Sequence, residues 1–254
     1  MNQPTIIAVT SQKGGVGKTT TATSTAHGLA KQGRTVLLVD FDPQGHSAIA
    51  LGMDPEPGVF DWLITQQPVG NLIRSTGRPG LSLLPGNSRT RTAQNVLHSE
   101  LRSLADLAGT IDALAAGYDY LVIDTPPSGL LQEAAIHAAH VVIIPVHCEA
   151  LGMDGVAATI NIIARVGSRS PRVIVLPTSY MPHINEHDYN RTLLDDTYPG
   201  QVASPVLRRI AVAECHAQGK TVWECSSVGA SDVAHAYRAL IDWLVPTGGD
   251  HAAE

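Results

Sequence analysis

One short segment of the chain combines the residue types that bind phosphate. Residues 11–20 read "SQKGGVGKTT", after an apolar run and before a stretch whose small residues recur at helical spacing. Glycines let backbone N–H groups converge on phosphate oxygens, and a helix N-terminus adds partial positive charge. Lys18 is placed to reach the β- and γ-phosphates, and the Thr19 hydroxyl to bind Mg²⁺. The predicted nucleotide-binding residues are Gly14, Gly15, Val16, Gly17, Lys18, Thr19 and Thr20.

This segment departs from the strict phosphate-loop pattern G-x-x-x-x-G-K-[ST]. Gln12 stands at the position of the first glycine, and a second lysine, Lys13, comes five residues before Lys18. The alternative interpretation is a glycine-rich turn whose lysines only face solvent. A strand before the glycines and a helix after them favour phosphate binding.

Carboxylates follow two other apolar runs. Asp124 ends "YLVID", and Asp40 and Asp42 lie in "VDFDPQG". Asp124 is predicted to bind the metal through a water molecule, and Asp42 to orient the attacking water on the γ-phosphate side. Asp40 is predicted to support the metal or the loop. Positioning and charge neutralisation dominate phosphoryl transfer, so these are the residue types that it requires.

The elements that must position these groups are buried strands alternating with helices. Apolar, β-branched runs end at the glycines, at "LLVDFD", at "LVIDTPP", in "HVVIIPVHCE" and in "PRVIVLPTS", and helical spacing predicts helices over 91–116, 130–139, 152–166 and 230–245. Continuous apolar strands of this kind predict an α/β fold, a mostly parallel twisted sheet with helices on both faces. The strand before Asp40 is expected beside the first strand. We predict one domain over residues 1–254, with a frayed tail from about residue 246.

Composition excludes several function classes. Hydrophobic content of 44% and charged content of 16% are typical of a globular protein, and no run is long enough to span a membrane. The N-terminus shows no signal peptide, and Cys148, Cys215 and Cys225 form no CxxC, so we expect free thiols in a reducing cytoplasm. The net charge of −6 excludes nucleic-acid binding through bulk charge, which leaves local basic patches.

Four motifs resemble those of one known family. "KGGVGKTT", "LLVDFDPQG", "YDYLVIDTPP" and "VVIIPVHCEALGMDG" occur in the order and spacing of the ParA family of deviant Walker A P-loop ATPases. "VLRRIAVAECHAQGKTVWE" is similar to the late segment of that family. The resemblance implies an Mg²⁺-dependent ATPase that forms a homodimer on ATP. It also implies that Lys13 is the signature lysine, which reaches the phosphates bound by the other subunit.

The resemblance implies a cycle of ATP-dependent dimerisation, DNA binding, stimulated hydrolysis and release. The protein would then be nucleoid-associated in the cytoplasm. An adaptor, ParB-like or of another type, would link it to a plasmid, a chromosome locus or a protein body such as a bacterial microcompartment. Few residues precede the loop, so we expect no N-terminal helix-turn-helix domain and only non-specific contacts to DNA phosphates. The candidate DNA-binding residues are Arg208, Arg209, Lys220 and Arg238, followed by Arg165, Arg169 and Arg172.

Two other functions use the same loop. A MinD-like ATPase cycles on membranes through a basic amphipathic C-terminal helix, but Asp242, Asp250 and Glu254 make the end of this chain acidic, so we expect no membrane partner. A metabolic P-loop amide ligase or synthetase would activate a small substrate instead. His183 and His187 have the spacing of metal ligands on a helix, although surface histidines are the favoured interpretation.

Overall fold

The computed structural model describes residues 3–245 of the 254-residue chain, without the side chains of residues 150 and 151. The predicted tail from residue 246 lies outside this range. The strands are β1 Thr5–Val9, β2 Val36–Asp40, β3 Arg74–Ser75, β4 Leu81–Leu84, β5 Tyr120–Asp124, β6 Val141–His147 and β7 Arg172–Thr178. The helices are α1 Lys18–Lys31, α2 His46–Ala50, α3 Val59–Leu63, α4 Arg89–Ser99, α5 Leu104–Ala115, α6 Leu130–Ala138, α7 Ala150–Val166, α8 Asn185–Thr197, α9 Ile210–Ala217 and α10 Val228–Leu244.

The strands form one seven-stranded sheet in the order β3-β4-β2-β5-β1-β6-β7. Every pairing is parallel except β3 with β4, so the prediction of a mostly parallel α/β sheet is confirmed. Alternate residues of each strand enter two separate cores, as Ile6 and Ile7 do on β1. Because both faces are covered by helices, the strands read as continuous apolar runs.

Two expectations about the elements are wrong. β2 does not lie beside β1, because β5 pairs with both of them and separates them. The single helix expected over 91–116 is two helices, α4 and α5, with a break at Leu101. Leu101 has a positive φ of 55° and is 88% exposed, so the chain turns there and no apolar contact holds one continuous helix.

The cysteines also differ from expectation. Cys215 on α9 and Cys225 in the segment before α10 form a disulfide, with their Cα atoms 6.2 Å apart. The expectation of three free thiols is therefore wrong for this pair. The chain reverses direction at Gly219, whose φ of 66° favours glycine, and this turn brings the two cysteines together. Cys148 is free and buried, and burial raises the pKa of its thiol to about 11.

The buried His27 joins α1, the helix that begins at Lys18, to the segment before α10. Its Nδ1 lies 2.7 Å from Thr221 Oγ1. Burial lowers the pKa of His27 from 6.5 to about 4; Glu224 opposes this shift, and Arg78 and Lys31 add to it.

This histidine makes stability depend on pH. The folded-state pKa lies below the unfolded value, so the unfolded state binds more protons between about pH 4 and 6.5, and stability falls as the pH falls through this window. From pH 7.5 to 5 we expect His27 to cost about 2 kcal/mol of unfolding free energy, measured by urea denaturation.

The matched control is His235→Gln, which removes an exposed histidine of α10. The unfolding free energy of His27→Gln should depend less steeply on pH than that of the wild-type chain. The unfolding free energy of His235→Gln should depend on pH as steeply as that of the wild-type chain. Burial also lowers the pKa of His140, His147 and His216, which contribute to the slope of all three proteins, so the difference between proteins is the readout. Equal slopes in the three proteins would contradict the assignment.

Candidate functional site

The loop between β1 and α1 is built from glycines in left-handed conformation. Gly15 has a φ of 76°, and Gly17, which caps the N-terminus of α1, has a φ of 88°. L-residues rarely adopt such values, so the path of the loop requires glycine at both positions. Among the described residues, no side chain caps the first turn of α1, which leaves backbone N–H groups free for a ligand.

Two buried side chains from distant elements hold this loop. Thr178, the last residue of β7, donates its hydroxyl to the Val16 carbonyl at 2.8 Å. The Gln132 amide of α6 donates to Thr10 Oγ1, also at 2.8 Å. Our sequence reasoning missed both supports. Thr178 carried a weak signal, since it ends a predicted strand at the edge where the loop lies; Gln132 carried none.

Lys18 is almost completely buried at the start of α1. Its Nζ donates to the Lys13 carbonyl at 3.3 Å, across the turn of the loop. Burial lowers the pKa of Lys18, while the nearby Asp124 and Asp42 carboxylates raise it. An ammonium group with little hydration and few fixed partners is a strong binding group for phosphate oxygens.

Two strands bring a pair of carboxylates together below the loop. Asp40 of β2 and Asp124 of β5 are register partners at the carboxyl ends of adjacent strands, and both are fully buried. Asp40 accepts hydrogen bonds from the Asp42 and Ser47 backbone N–H groups at 2.9 and 3.0 Å. Ser47 Oγ donates to Asp124 Oδ2 at 3.1 Å.

Burial raises the pKa of both carboxyl groups. That of Asp124 rises to about 6, although hydrogen bonds from Thr19 and Ser47 and the charge of Lys18 lower it. That of Asp40 rises well above its ordinary value through burial and the neighbouring Asp124 charge. Two adjacent buried carboxylates favour a proton or a cation beside them.

The donor set fits a hard divalent cation. Asp124 Oδ1 is buried and lacks a hydrogen-bond partner within residues 3–245, whereas buried carboxylate oxygens normally have one. The Thr19 side chain lies near the same carboxyl group and lowers its pKa, so a hydroxyl and a carboxylate oxygen are close together at the mouth of the loop. Oxygen ligands of this type suit Mg²⁺, and Thr19 and Asp124 are the residues that could hold it.

A cavity of about 560 Å³ opens beside the loop. Asp42 reaches it from the end of β2, half-buried, and its carboxylate accepts a hydrogen bond from the Gln44 N–H at 2.9 Å. Residues that our sequence reasoning did not select complete the wall: Pro43, Gln44, His46, Arg91, Gln94, Pro126, Pro127 and Ser128. The wall residues near positions 42 and 124 follow the ends of strands. Arg91 and Gln94 instead come from α4, and no sequence motif indicated that this helix lies beside the loop.

Lys13 does not line this cavity. Its Nζ lies 3.6 Å from Glu149 Oε2, just before α7, and its side chain is 32% exposed. The two lysines of the segment thus point to different places. Lys18 lines the cavity of its own chain, and Lys13 lies outside that cavity, partly exposed, beside Glu149.

The basic residues proposed for DNA differ in how far they are already paired. Arg209 binds Asp232 at 2.8 Å, which offsets its charge. Arg208 and Lys220 are exposed, and Lys220 Nζ donates a hydrogen bond to a neutral amide oxygen, Gln218 Oε1, at 3.2 Å. The exposed Arg238 guanidinium lies 5.6 Å from the Trp223 ring centre.

The three secondary candidates are more strongly engaged. Arg165 and Arg169 form ion pairs with Glu133 and Asp112, at 2.7 and 2.5 Å. Arg172 donates to the Trp243 carbonyl. No cluster of three or more histidine, cysteine or acidic side chains suited to a metal occurs in residues 3–245. His183 is exposed, but the surface interpretation is wrong for His187, which is buried and accepts a hydrogen bond from the Met181 N–H at 3.2 Å.

The chain forms a mostly parallel sheet with helices on both faces, a glycine loop between its first strand and first helix, and carboxylates at the ends of β2 and β5. These features define a P-loop nucleotide-binding protein. A family model described as an AAA domain matches residues 4–174. The chain is 33% identical over 252 residues to the chromosome-partitioning ATPase Soj of Thermus thermophilus, with 93% of each chain covered. The chain belongs to the ParA family of P-loop ATPases, as its motifs predicted.

Two further comparisons bear on function. The chain is 39% identical over 165 residues to the sporulation initiation inhibitor protein Soj of Bacillus subtilis. That match covers 63% of this chain and 65% of the relative, which is less than two thirds of either. A solved structure of cobyrinic acid a,c-diamide synthase from Mycobacterium smegmatis, with bound ATP analogue and magnesium, is 31% identical. It has a TM-score of 0.79, with 95% of this chain and 94% of that chain covered. No helix within residues 3–245 has the length and apolar content needed to cross a membrane.

Proposed function

We propose that the chain is an Mg²⁺-dependent ATPase that dimerises on ATP, binds DNA without sequence preference and positions a cargo. The observation that carries this proposal is the division between the two lysines. Lys18 is buried in the site of its own chain, whereas Lys13 lies outside the cavity, partly exposed, beside Glu149. A lysine in that place is available to a second copy of the chain. The relationship to the partitioning ATPase of Thermus agrees with this function.

The hydrolysis step is the attack of water on the γ-phosphorus of ATP, with cleavage of the bond to the β–γ bridging oxygen, to give ADP and phosphate. Mg²⁺, held by Thr19 and by Asp124 through water, would neutralise charge on the phosphates. Lys18 and the loop N–H groups bind the phosphate oxygens. Asp42 faces the cavity and orients the attacking water, while Asp40 keeps the Asp42 backbone in place through the 2.9 Å hydrogen bond.

In the proposed ATP-bound dimer, Lys13 contacts the phosphates of the nucleotide that the partner copy binds. The Lys13–Glu149 pair is partly exposed on both sides, at 32% and 50%, and such pairs contribute only about 0.2–1 kcal/mol. The pair is therefore a weak restraint, which the charge of a bound triphosphate can replace. This step couples nucleotide state to dimerisation.

Binding to DNA rests on Arg208, Lys220 and Arg238, with Arg209 a weaker candidate because Asp232 neutralises it. These contacts would bind phosphates, so binding should fall steeply with salt. Such a protein would associate with the nucleoid. An adaptor, ParB-like or of another type, would stimulate hydrolysis and supply the cargo.

The test measures DNA binding and dimerisation with ADP, ATP and a slow-hydrolysing ATP analogue at two salt concentrations. We expect the wild-type chain to dimerise with ATP or the analogue, and then to bind unrelated DNA sequences equally. The Lys13→Ala variant should still bind ATP as a monomer but should lose at least about tenfold in both dimerisation and DNA binding, because a charged contact to phosphate is removed. The measurements are light scattering and fluorescence anisotropy.

Lys31→Ala is the matched control, since it removes an exposed lysine from the far end of α1. It should dimerise like the wild-type chain. Dimerisation of Lys13→Ala with ATP at the wild-type level would show that the proposed contact to the partner site is wrong.

A second function is favoured by one comparison, the similarity to the diamide synthase structure. It predicts ATP turnover that depends on a small carboxylic acid and an amide nitrogen donor, without an effect of DNA. A monomer that binds no DNA in any nucleotide state would favour it over the positioning function. Binding to anionic vesicles with ATP would instead indicate a membrane cycle.

A further inference from the structure

Arg91 is a cation on the cavity wall that faces the phosphate loop. It is the third residue of α4 and lines the same cavity as Gly14, Gly15 and Lys18. Within the described part of the chain its guanidinium forms no hydrogen bond or ion pair, and the side chain is exposed to the cavity and solvent. Its donors are therefore free for a ligand.

The start of α4 is anchored, so Arg91 is presented from a fixed element. Two residues earlier, Arg89 binds Asp61 at 3.0 Å, and its guanidinium lies 4.0 Å from the Phe60 ring centre. The buried Thr90 accepts a hydrogen bond from the Asn87 N–H at 3.1 Å. These contacts hold the first turn of α4 against α3 and the preceding loop.

The next turn of α4 is anchored on the other side of the cavity. The Gln94 side chain packs against Gly129, at the N-terminal end of α6, and accepts a hydrogen bond from the Leu131 N–H at 3.5 Å. Ala93 and Leu97 of the same helix are buried. Gln94 and Arg91 are thus the two residues by which α4 lines the cavity, and Arg91 is the charged one.

The negative charge around the cavity favours a further cation such as Arg91. Asp42 lines the cavity, Lys18 lies near the Asp42 and Asp124 carboxylates, and the buried Asp40 is the register partner of Asp124. A nucleoside triphosphate brings further negative charge to the same place. A guanidinium with five N–H donors in a planar fork suits phosphate oxygens better than one more ammonium would.

We propose that Arg91 binds the terminal phosphate of the nucleotide from the wall opposite the loop, and so makes the site prefer the triphosphate to the diphosphate. The cavity extends from Lys18 and Thr19 to Asp42 and Gln44, which is the side where the terminal phosphate would lie in the proposed hydrolysis. This inference rests on the proposed ATPase function and adds a residue that discriminates between nucleotides.

The experiment compares the affinities of a slow-hydrolysing ATP analogue and of ADP, both with Mg²⁺, by calorimetry. For Arg91→Gln we expect a roughly tenfold to hundredfold loss of affinity for the ATP analogue, the range of a charged hydrogen bond, and little change for ADP. Arg91→Lys should recover part of the loss. Arg102→Gln removes the same charge from an exposed position just past α4 that does not line this cavity, and should keep the wild-type preference.

Each variant is also measured in the Lys13→Ala background, so that a loss of dimerisation is not taken for a loss of binding. A wild-type preference for the ATP analogue that persists in Arg91→Gln would overturn the Arg91 assignment alone. Equal losses for both nucleotides would also overturn it, since they indicate only a structural role. Failure of the wild-type chain to bind either nucleotide would refute the ATPase function itself.

Discussion

Replacement of Lys18 by alanine is expected to abolish ATP binding, with a loss of affinity of at least about a hundredfold. The buried ammonium is the cation on which the loop depends, and its pKa is lowered by burial and raised by Asp124 and Asp42. Without it, the triphosphate would lie near the Asp42 and Asp124 carboxylates without the ammonium group that opposes their charge. Calorimetry with ATP and Mg²⁺ measures the affinity directly.

The substitution also affects the apo protein, so its interpretation needs a stability measurement. Removal of the cation leaves Asp40 and Asp124 without its charge, but burial raises the pKa of both groups and so favours their neutral forms. We therefore expect Lys18→Ala to fold, with a thermal midpoint close to that of the control Lys31→Ala. Normal ATP affinity in a folded Lys18→Ala protein would disprove the phosphate-loop assignment.

Replacement of Asp42 by alanine is expected to slow ATP turnover by about a hundredfold or more while ATP binding persists. Asp42 is the carboxylate that is half-buried and lines the cavity, whereas Asp40 and Asp124 are fully buried below it. Loss of the group that orients water would leave the ATP dimer intact but trapped. Steady-state phosphate release and light scattering, measured together, check both parts of this prediction.

The Asp42→Asn variant separates chemistry from loop structure. Its amide oxygen can still accept the hydrogen bond from the Gln44 N–H, so the backbone after β2 keeps its support. We expect the asparagine variant to be as slow as the alanine variant. If either variant turned over ATP at the wild-type rate, the water-orienting role would belong to another residue.

Much of the fold was predictable because strong local patterns and burial agree. The strands β1, β2, β5, β6 and β7 are apolar on both faces, so each reads as an unbroken run in the sequence. The edge strand β3, its neighbour β4 and the short helices α2 and α3 lack such a pattern. Their conformation depends on contacts with distant segments, such as the pairing of β4 with β2.

The break between α4 and α5 shows the limit of periodicity. Residues 91–116 have helical spacing throughout, yet Leu101 adopts a positive φ and is exposed. Helical spacing shows which residues can lie on one face of a helix, but tertiary packing decides whether that helix continues without a break. Here α5 packs mainly on α6, whereas α4 packs mainly on α3 and has a smaller contact with α6, so the principal neighbours of the two helices differ.

The sequence by itself determined the chemistry of this protein. Gly15, Gly17, Lys18 and Thr19 lie within five residues of one another, so the local sequence alone predicts a phosphate loop, and the extra Lys13 marked the family. Only the tertiary structure decided what surrounds the loop. The insertion of β5 between β1 and β2 places Asp124 beside Asp40, and the docking of α4 brings Arg91 to the cavity. These relations join residues far apart in the chain, and only long-range packing determines which distant segments meet.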